Sequence, residues 1–193
     1  MEKPNHVSIE AQVRQTGPVA AAEMRAAHTV PAVMYGPKSE NVHFSVPELE
    51  LERLLKAEDA QVVDVSIDGK NYTSIIKNVE FHPVTDRPLH ADFYILNDDH
   101  PVTISLPVRI SGSAPGVLAG GRLDHNLKKV KVRCLPKDIP AHVKADISKL
   151  NIGDTLRIKD LDFSGVTPIA SPERTVVLIK PPRGGKKAET GKK

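Results

Sequence analysis

The chain has no run of eighteen apolar residues anywhere in its 193 positions, and a run of that length is what a membrane-crossing helix requires. Residues 1–5 lead straight into charged, strand-like sequence rather than an apolar signal region. The expectation is a cytoplasmic protein with no membrane contact. Cysteine is almost absent. Cys134 is the single one, which excludes an internal disulfide framework and cannot by itself assemble a thiolate metal site. No pair of histidines or cysteines has zinc-ligand spacing, so no metal is expected. The glycine-rich stretch at 112–121 ends in Arg122-Leu123, without the Lys-Ser/Thr and helix of a phosphate-binding loop. Cys134 lies between alternating valines, the setting of a buried, inert thiol, and nothing in the sequence brings a histidine to it. With no nucleophile, metal set or cofactor motif, the chain reads as a non-enzyme that needs no cofactor.

Charge is present but unevenly placed. Residues 1–97 carry nine Lys and Arg against fourteen Asp and Glu, a net of −5, whereas 98–182 carry thirteen against nine, a net of +4. The last eleven residues carry five against one, a further +4. Any nucleic-acid site in the first segment must therefore be a local patch, because the summed field of that segment repels phosphate.

Hydrophobic periodicity divides the chain into 1–97, 98–182 and a disordered basic tail at 183–193, which contains Arg183, Lys186, Lys187, Lys192 and Lys193. The first segment opens with Val7, Ile9, Ala11 and Val13 alternating with polar residues up to Arg14, the period of a half-buried strand. An alanine-rich stretch at 20–27 favours helix, and 30–35 reads as a buried strand closed by Gly36-Pro37. Ser45-Val46-Pro47-Glu48 matches a capping box, with Leu51, Leu54 and Leu55 continuing a helical face. Val63, Val65 and Ile67 lead into Asp68-Gly69, the positive-φ pair of a two-residue hairpin, and the chain returns over 72–76. A strand over 89–96 precedes a linker at 97–101. Beyond it, short strands at 102–110, 129–135, 142–147, 155–158 and 175–179 argue for a second all-β module, a sandwich or barrel. The fold expectation is mostly β, a small barrel with short helices followed by this second module.

His90 and Asp92 are two apart in a strand, so their side chains leave the same face and the carboxylate orients the ring. Arg14, Arg25 and Tyr35 are candidates to join them on one wet surface. That set offers charged donors for phosphate, an aromatic hydroxyl, and groups suited to base edges or 2′-hydroxyls. In the second module Lys129, Lys131 and Arg133 share the wet face of one strand, with Lys128 extending the strip. This face is either solubilising or a second set of RNA contacts.

Several fragments, in order and spacing, resemble one family. These are Glu10-Ala11-Gln12-Val13-Arg14, Met24-Arg25 leading to Val30-Pro31-Ala32-Val33-Met34-Tyr35-Gly36, and His82-Pro83 with Leu89-His90-Ala91-Asp92-Phe93. Leu106-Pro107-Val108, Cys134-Leu135-Pro136 and Asp146-Ile147-Ser148-Lys149-Leu150 continue the likeness in the second module. The chain resembles bacterial large-subunit ribosomal protein twenty-five in its two-domain, general-stress-protein form. The resemblance implies a first module gripping 5S ribosomal RNA through Arg14 and Arg25 at phosphates, Tyr35 at the groove, and His90 with Asp92 at backbone or base edges. Lys77 and His82 complete the implied RNA-binding set. It further implies a monomer within the large ribosomal subunit, with other large-subunit RNA and neighbouring ribosomal proteins as additional contacts.

Two departures from the family pattern matter. Residues 17–24 read Gly-Pro-Val-Ala-Ala-Ala-Glu-Met where relatives usually carry a basic segment, and Glu80 stands where glutamine is common. Fewer phosphate contacts, and a shallower loss of affinity with salt, are the expectation. A stress-induced, ribosome-associated protein of the same fold with weakened RNA binding is the alternative, and a hydrolase built on His90 and Asp92 is a third class that lacks a nucleophile.

Overall fold

The computed structural model describes residues 4–37, 39–163 and 165–182, so the basic tail expected at 183–193 lies outside the described residues. The chain divides into two units, Met1–Ile104 with Cys134–Ala141, and Ser105–Arg133 with His142–Lys193.

The first unit is built from β1 (Asn5–Val13), α1 (Pro18–Ala26), β2 (Thr29–Gly36), β3 (Ser39–Pro47), α2 (Glu48–Leu55), β4 (Gln61–Ile67), β5 (Lys70–Phe81) and β6 (Pro88–Ile95). Its six strands close into a barrel in the order β1-β3-β2-β6-β5-β4. Two of the seams are parallel, β1 with β4 and β2 with β6. Closure leaves no unpaired edge. Alternating side chains fill the interior, where Ile9, Met34, Phe44, Val46, Val63, Val65 and Phe93 are buried and Leu51 and Leu54 of α2 join the same core. Phe44 and Phe93 meet there with ring centroids 5.3 Å apart.

The β4–β5 hairpin turns at Asp68 (φ 48°) and Gly69 (φ 78°), with Ile67 paired to Lys70. Both turn residues are left-handed, as a two-residue hairpin that preserves strand twist requires. α1 starts at Pro18, whose fixed φ suits the first helical turn.

One expectation is corrected. Ser45-Val46-Pro47-Glu48 is not a capping box, because no side chain caps α2 and Pro47 occupies the cap position. Ser45 belongs to β3, paired to Pro31 on one side and Gln12 on the other. The carboxylate of Glu48 turns instead to Arg87 and His28. Burial of Phe44 and Val46 inside the barrel outweighs a local four-residue pattern, and it makes a strand of residues 39–47, which the sequence reading passed over.

The second unit is all-β apart from a four-residue helix and a 3-10 turn at Ile158–Asp160. Its strands are β7 (Val102–Ser111), β8 (Arg122–His125), β9 (Lys129–Cys134), β10 (Val143–Asp146), β11 (Thr155–Arg157), β12 (Thr167–Pro168) and β13 (Thr175–Lys180), with α3 (Pro115–Leu118) inside the glycine-rich stretch. They form a four-stranded sheet, β10-β7-β9-β12, and a three-stranded sheet, β11-β13-β8. The stretch at 112–121 folds back on itself through a Gly121 amide to Gly116 carbonyl bond of 2.8 Å. A side chain at Gly116 would meet the Asn151 backbone at 2.6 Å, so the close approach needs glycine there.

Phe44→Ala should lower the unfolding free energy by about 3–5 kcal/mol, measured by urea denaturation. A loss well under about 1 kcal/mol would place the centre of the barrel core elsewhere.

Candidate nucleic-acid interface

Because successive strand residues point to opposite sides, burial of Ala91 and Phe93 forces His90, Asp92 and Tyr94 to the outside of the barrel. Parallel pairing sets Tyr35 beside Tyr94 and Val33 beside Asp92. Antiparallel pairing on the other edge of β6 sets Asn78 beside Asp92 and Glu80 beside His90. The register of β5 slips between Ile76 and Asn78, and Lys77 is the residue at that irregularity. Bulges of this kind re-aim a side chain. Here the ammonium of Lys77 comes to lie 4.7 Å from the Tyr94 ring centre and 5.4 Å from that of Tyr35.

Tyr35 and Tyr94 meet edge to face, 5.8 Å apart and at 85°. Burial, then the charge of Asp92, then Tyr94 push the Tyr35 phenol above its ordinary pKa. Tyr35 therefore stays a neutral hydroxyl donor at physiological pH. The Nδ1 of His90 lies 3.1 Å from Oδ1 of Asp92, both side chains being about a quarter exposed. With Nδ1 turned to the carboxylate, Nε2 is the ring nitrogen left for another partner.

Arg25 sits in the last turn of α1 and donates from Nε to the carbonyl of Leu89 at 3.0 Å, which fixes its guanidinium next to His90. His82 opens the turn after β5. Its Nδ1 accepts from the amides of Val84 and Thr85, each at 3.3 Å, so its proton resides on Nε2. Arg25 and His82 line a cleft of about 220 Å³ with Thr85, Arg87 and Glu48.

Arg14 stands apart from this group. It follows β1, donates its amide to the His43 carbonyl at 3.1 Å, and is separated from β6 by β3 and β2. At about 4.8 Å per strand that is roughly 14 Å of barrel surface. Its Nε is buried without a partner, as is Nδ1 of the neighbouring His43. Lys129, Lys131 and Arg133 occupy the exposed alternate positions of β9, with Lys128 exposed just before it. They belong to the second unit.

Three residues at this surface escaped the sequence reading. Tyr94 continues the i, i+2 series from His90 and Asp92, so the signal was present. Arg87 and His43 reach the surface through tertiary pairing alone. Arg87 holds Glu48 with a two-pronged contact, Nε to Oε1 at 2.6 Å and Nη2 to Oε2 at 2.5 Å, and Nδ1 of His28 lies 3.0 Å from the same carboxylate. Chiefly through the Arg87 hydrogen bonds, the Glu48 carboxyl is lowered to about 2.

This pairing bears on the acidic balance of the barrel. Glu48 is tied to Arg87, Asp64 to His6 and Thr73, and Glu52 to Lys56. Arg14, Arg25 and Lys77 have no ion-pair partner among the described residues, so the barrel's acidity is partly locked away while these cations remain available.

Comparison with known proteins bears on the assignment. The pattern of the Ribosomal L25p family matches residues 9–93, and that of the C-terminal domain of ribosomal protein TL5 matches residues 101–183. The large ribosomal subunit protein bL25 of Phocaeicola vulgatus is 38% identical over 189 residues, covering 94% of this chain and 96% of its own. The bL25 of Carboxydothermus hydrogenoformans is 41% identical over 155 residues, 80% and 78% of the two chains. That of Porphyromonas gingivalis is 36% identical over 177 residues, 91% and 92%.

The chain belongs to the bL25 family of ribosomal proteins. A bL25 protein is a ribosomal component and not an enzyme. Cys134 is buried, and its thiol is pushed up to about 11 by that burial and by Asp138. Arg14, Arg25, Tyr35, Lys77, His82, His90 and Asp92 all fall within the L25p match, and Lys128, Lys129, Lys131 and Arg133 within the TL5 match. In this bL25 chain α1 has Arg25 as its single basic residue.

Glu48→Gln should lower the urea midpoint at pH 7. A carboxyl whose pKa is depressed in the folded state adds stability above its unfolded pKa and loses it as pH falls through the folded one. The difference between variant and wild type should thus be full above pH 5 and shrink as pH falls from about 4.5 towards 2. A difference that is constant over pH 2–7 would show that the Arg87 pair contributes nothing.

Proposed function

We propose that this chain is a structural component of the large ribosomal subunit that binds 5S ribosomal RNA through the outer face of its barrel. The observation that carries the reading is the strip on which Tyr35, Lys77, His90 and Asp92 come together, with Arg25 anchored beside it. Membership of a family whose relatives are named as large-subunit proteins supports it.

The groups suit A-form RNA, whose wide, shallow minor groove displays 2′-hydroxyls and sugar edges. Nε2 of His90 meets a 2′-hydroxyl while Asp92 holds the ring still. The Tyr35 hydroxyl donates at the groove. The ammonium of Lys77, placed by the bulge and by two aromatic rings, meets a phosphate without first having to be ordered. Arg25 and Nε2–H of His82 serve phosphates on the side of the cleft. Arg14, about three strands away, reaches the backbone at a separate point, and the distance fits recognition of shape across a groove better than recognition of a single nucleotide.

The bare α1 limits how many phosphates this site neutralises. Charge-assisted hydrogen bonds contribute about 1.5–3 kcal/mol each, so few contacts suffice for specific binding while the salt dependence stays shallow.

A mobility-shift series with purified 5S RNA tests the reading. Arg14→Ala and Arg25→Ala should each weaken binding about tenfold or more and reduce the salt slope by about 0.7–0.9. Tyr35→Ala should weaken binding with the slope unchanged. Wild-type affinity in all three variants would put the RNA on another surface.

A further inference from the structure

Among the described residues Glu48 is the only buried carboxylate, and its partners come from segments far apart in the chain. Arg87, 39 residues on, grips both of its oxygens, Nε at 2.6 Å and Nη2 at 2.5 Å. Nδ1 of His28, 20 residues earlier, lies 3.0 Å from Oε2. The Glu48 amide also donates to the His28 carbonyl at 3.0 Å, so backbone and side chain of Glu48 hold the same residue. His28 has φ 56°, a left-handed conformation that histidine adopts at a cost in energy.

These contacts close a circuit around Arg25. The His28 amide donates to the Arg25 carbonyl at 3.2 Å, and the Thr29 hydroxyl donates to the Met24 carbonyl at 2.9 Å, so the end of α1 is fixed through residues 28 and 29. At its other end the Arg25 guanidinium is held by the Leu89 carbonyl, two residues beyond Arg87. Glu48 ties His28 to Arg87, and Arg25 is strung between the two segments so joined. Arg87 also sets His82, whose amide donates to the Arg87 carbonyl at 2.8 Å. A carboxyl lowered to about 2 stays ionised at every pH at which RNA binds, so the join does not loosen by protonation.

We infer that Glu48, acting through Arg87 and His28, is a positioning residue for RNA recognition, holding Arg25 in its binding geometry before the RNA arrives; this rests on the barrel-face reading above. Stability alone does not account for the arrangement, because burying a carboxylate offsets much of its attraction to a partner. A carboxylate on the wall of the cleft also opposes the attraction of phosphate. Ordering Arg25 in advance explains both features. Arg25 is the single basic residue of α1, so no second cation on that helix makes good a poorly placed one. An arginine left loose forfeits about two- to tenfold in affinity when the RNA has to order it.

Binding of the full chain to purified 5S RNA, read by fluorescence anisotropy at fixed salt, separates charge from positioning by the sign of the effect. Glu48→Gln makes the chain one unit more positive and releases Arg87, so charge alone predicts tighter binding. Positioning predicts binding about three- to tenfold weaker. It also predicts that this loss disappears when Arg25→Ala is already present, because no guanidinium is left to place. A general loss of folded protein would instead weaken binding equally in both backgrounds, and melting curves recorded alongside keep the assay below the transition. His28→Gly, which suits the left-handed backbone, should give a smaller loss with the same dependence on Arg25, and it decides the matter if the Glu48 variant does not fold. Binding by Glu48→Gln as tight as wild type or tighter, or a loss of the same size with and without Arg25, would overturn the inference and leave the barrel-face reading standing. Unchanged affinity in Arg25→Ala itself would overturn the part of that reading that rests on Arg25, and this inference with it.

Discussion

The barrel depends on two parallel seams, β1 against β4 and β2 against β6, joining strands that lie far apart in sequence. Once those seams are made, inside and outside are fixed for every residue of the six strands. Filling the interior with Phe44, Met34, Val63 and Phe93 leaves no alternative position for Tyr35, His90, Asp92 and Tyr94. A slip of one residue in β6 would exchange Phe93 for Asp92 in the core, and the cost of burying that carboxylate is what enforces the register. Packing of the core and presentation of the outer strip are therefore one constraint.

That constraint also determines how the charges are used. Glu48 is drawn to Arg87 across the entrance to the cleft, and other acids of the barrel are engaged by histidine, lysine or hydroxyl partners. Lys77 is held over two tyrosine rings and not by a carboxylate, which keeps its charge directed outward. A patch can thus be cationic in effect on a unit whose sum is acidic, because steering by the whole field and contact at a site are separate quantities. Two carboxylates do remain beside it. Asp92 has a use in orienting His90, whereas Glu80 opposite His90 has none that the geometry reveals.

The second unit arranges its charge differently. Arg157, Lys159 and Lys180 are paired to carboxylates, whereas Lys129, Lys131 and Arg133 stand exposed together along β9. A surface of that kind suits general attraction to a phosphate backbone, whereas the barrel strip suits a defined fit. The two differ in chemistry within one chain of the bL25 family.

Much of this was legible in the residues alone. Period-two alternation gave β1, β6, β7 and β9, Asp68-Gly69 gave the hairpin, and the i, i+2 spacing of His90 and Asp92 placed them on one face, because each of these rests on the geometry of a single strand or turn. Tyr94 was legible by the same spacing and was missed. What the sequence could not determine is anything requiring two strands at once. The strand at 39–47 was hidden by a local match to a capping pattern, the bulge that turns Lys77 onto the tyrosines exists only relative to β6, and Arg87 finds Glu48 across 39 residues of chain. Local chemistry sets which face of a strand is wet, but only pairing between distant segments decides which wet faces meet, since that choice depends on burying one shared core.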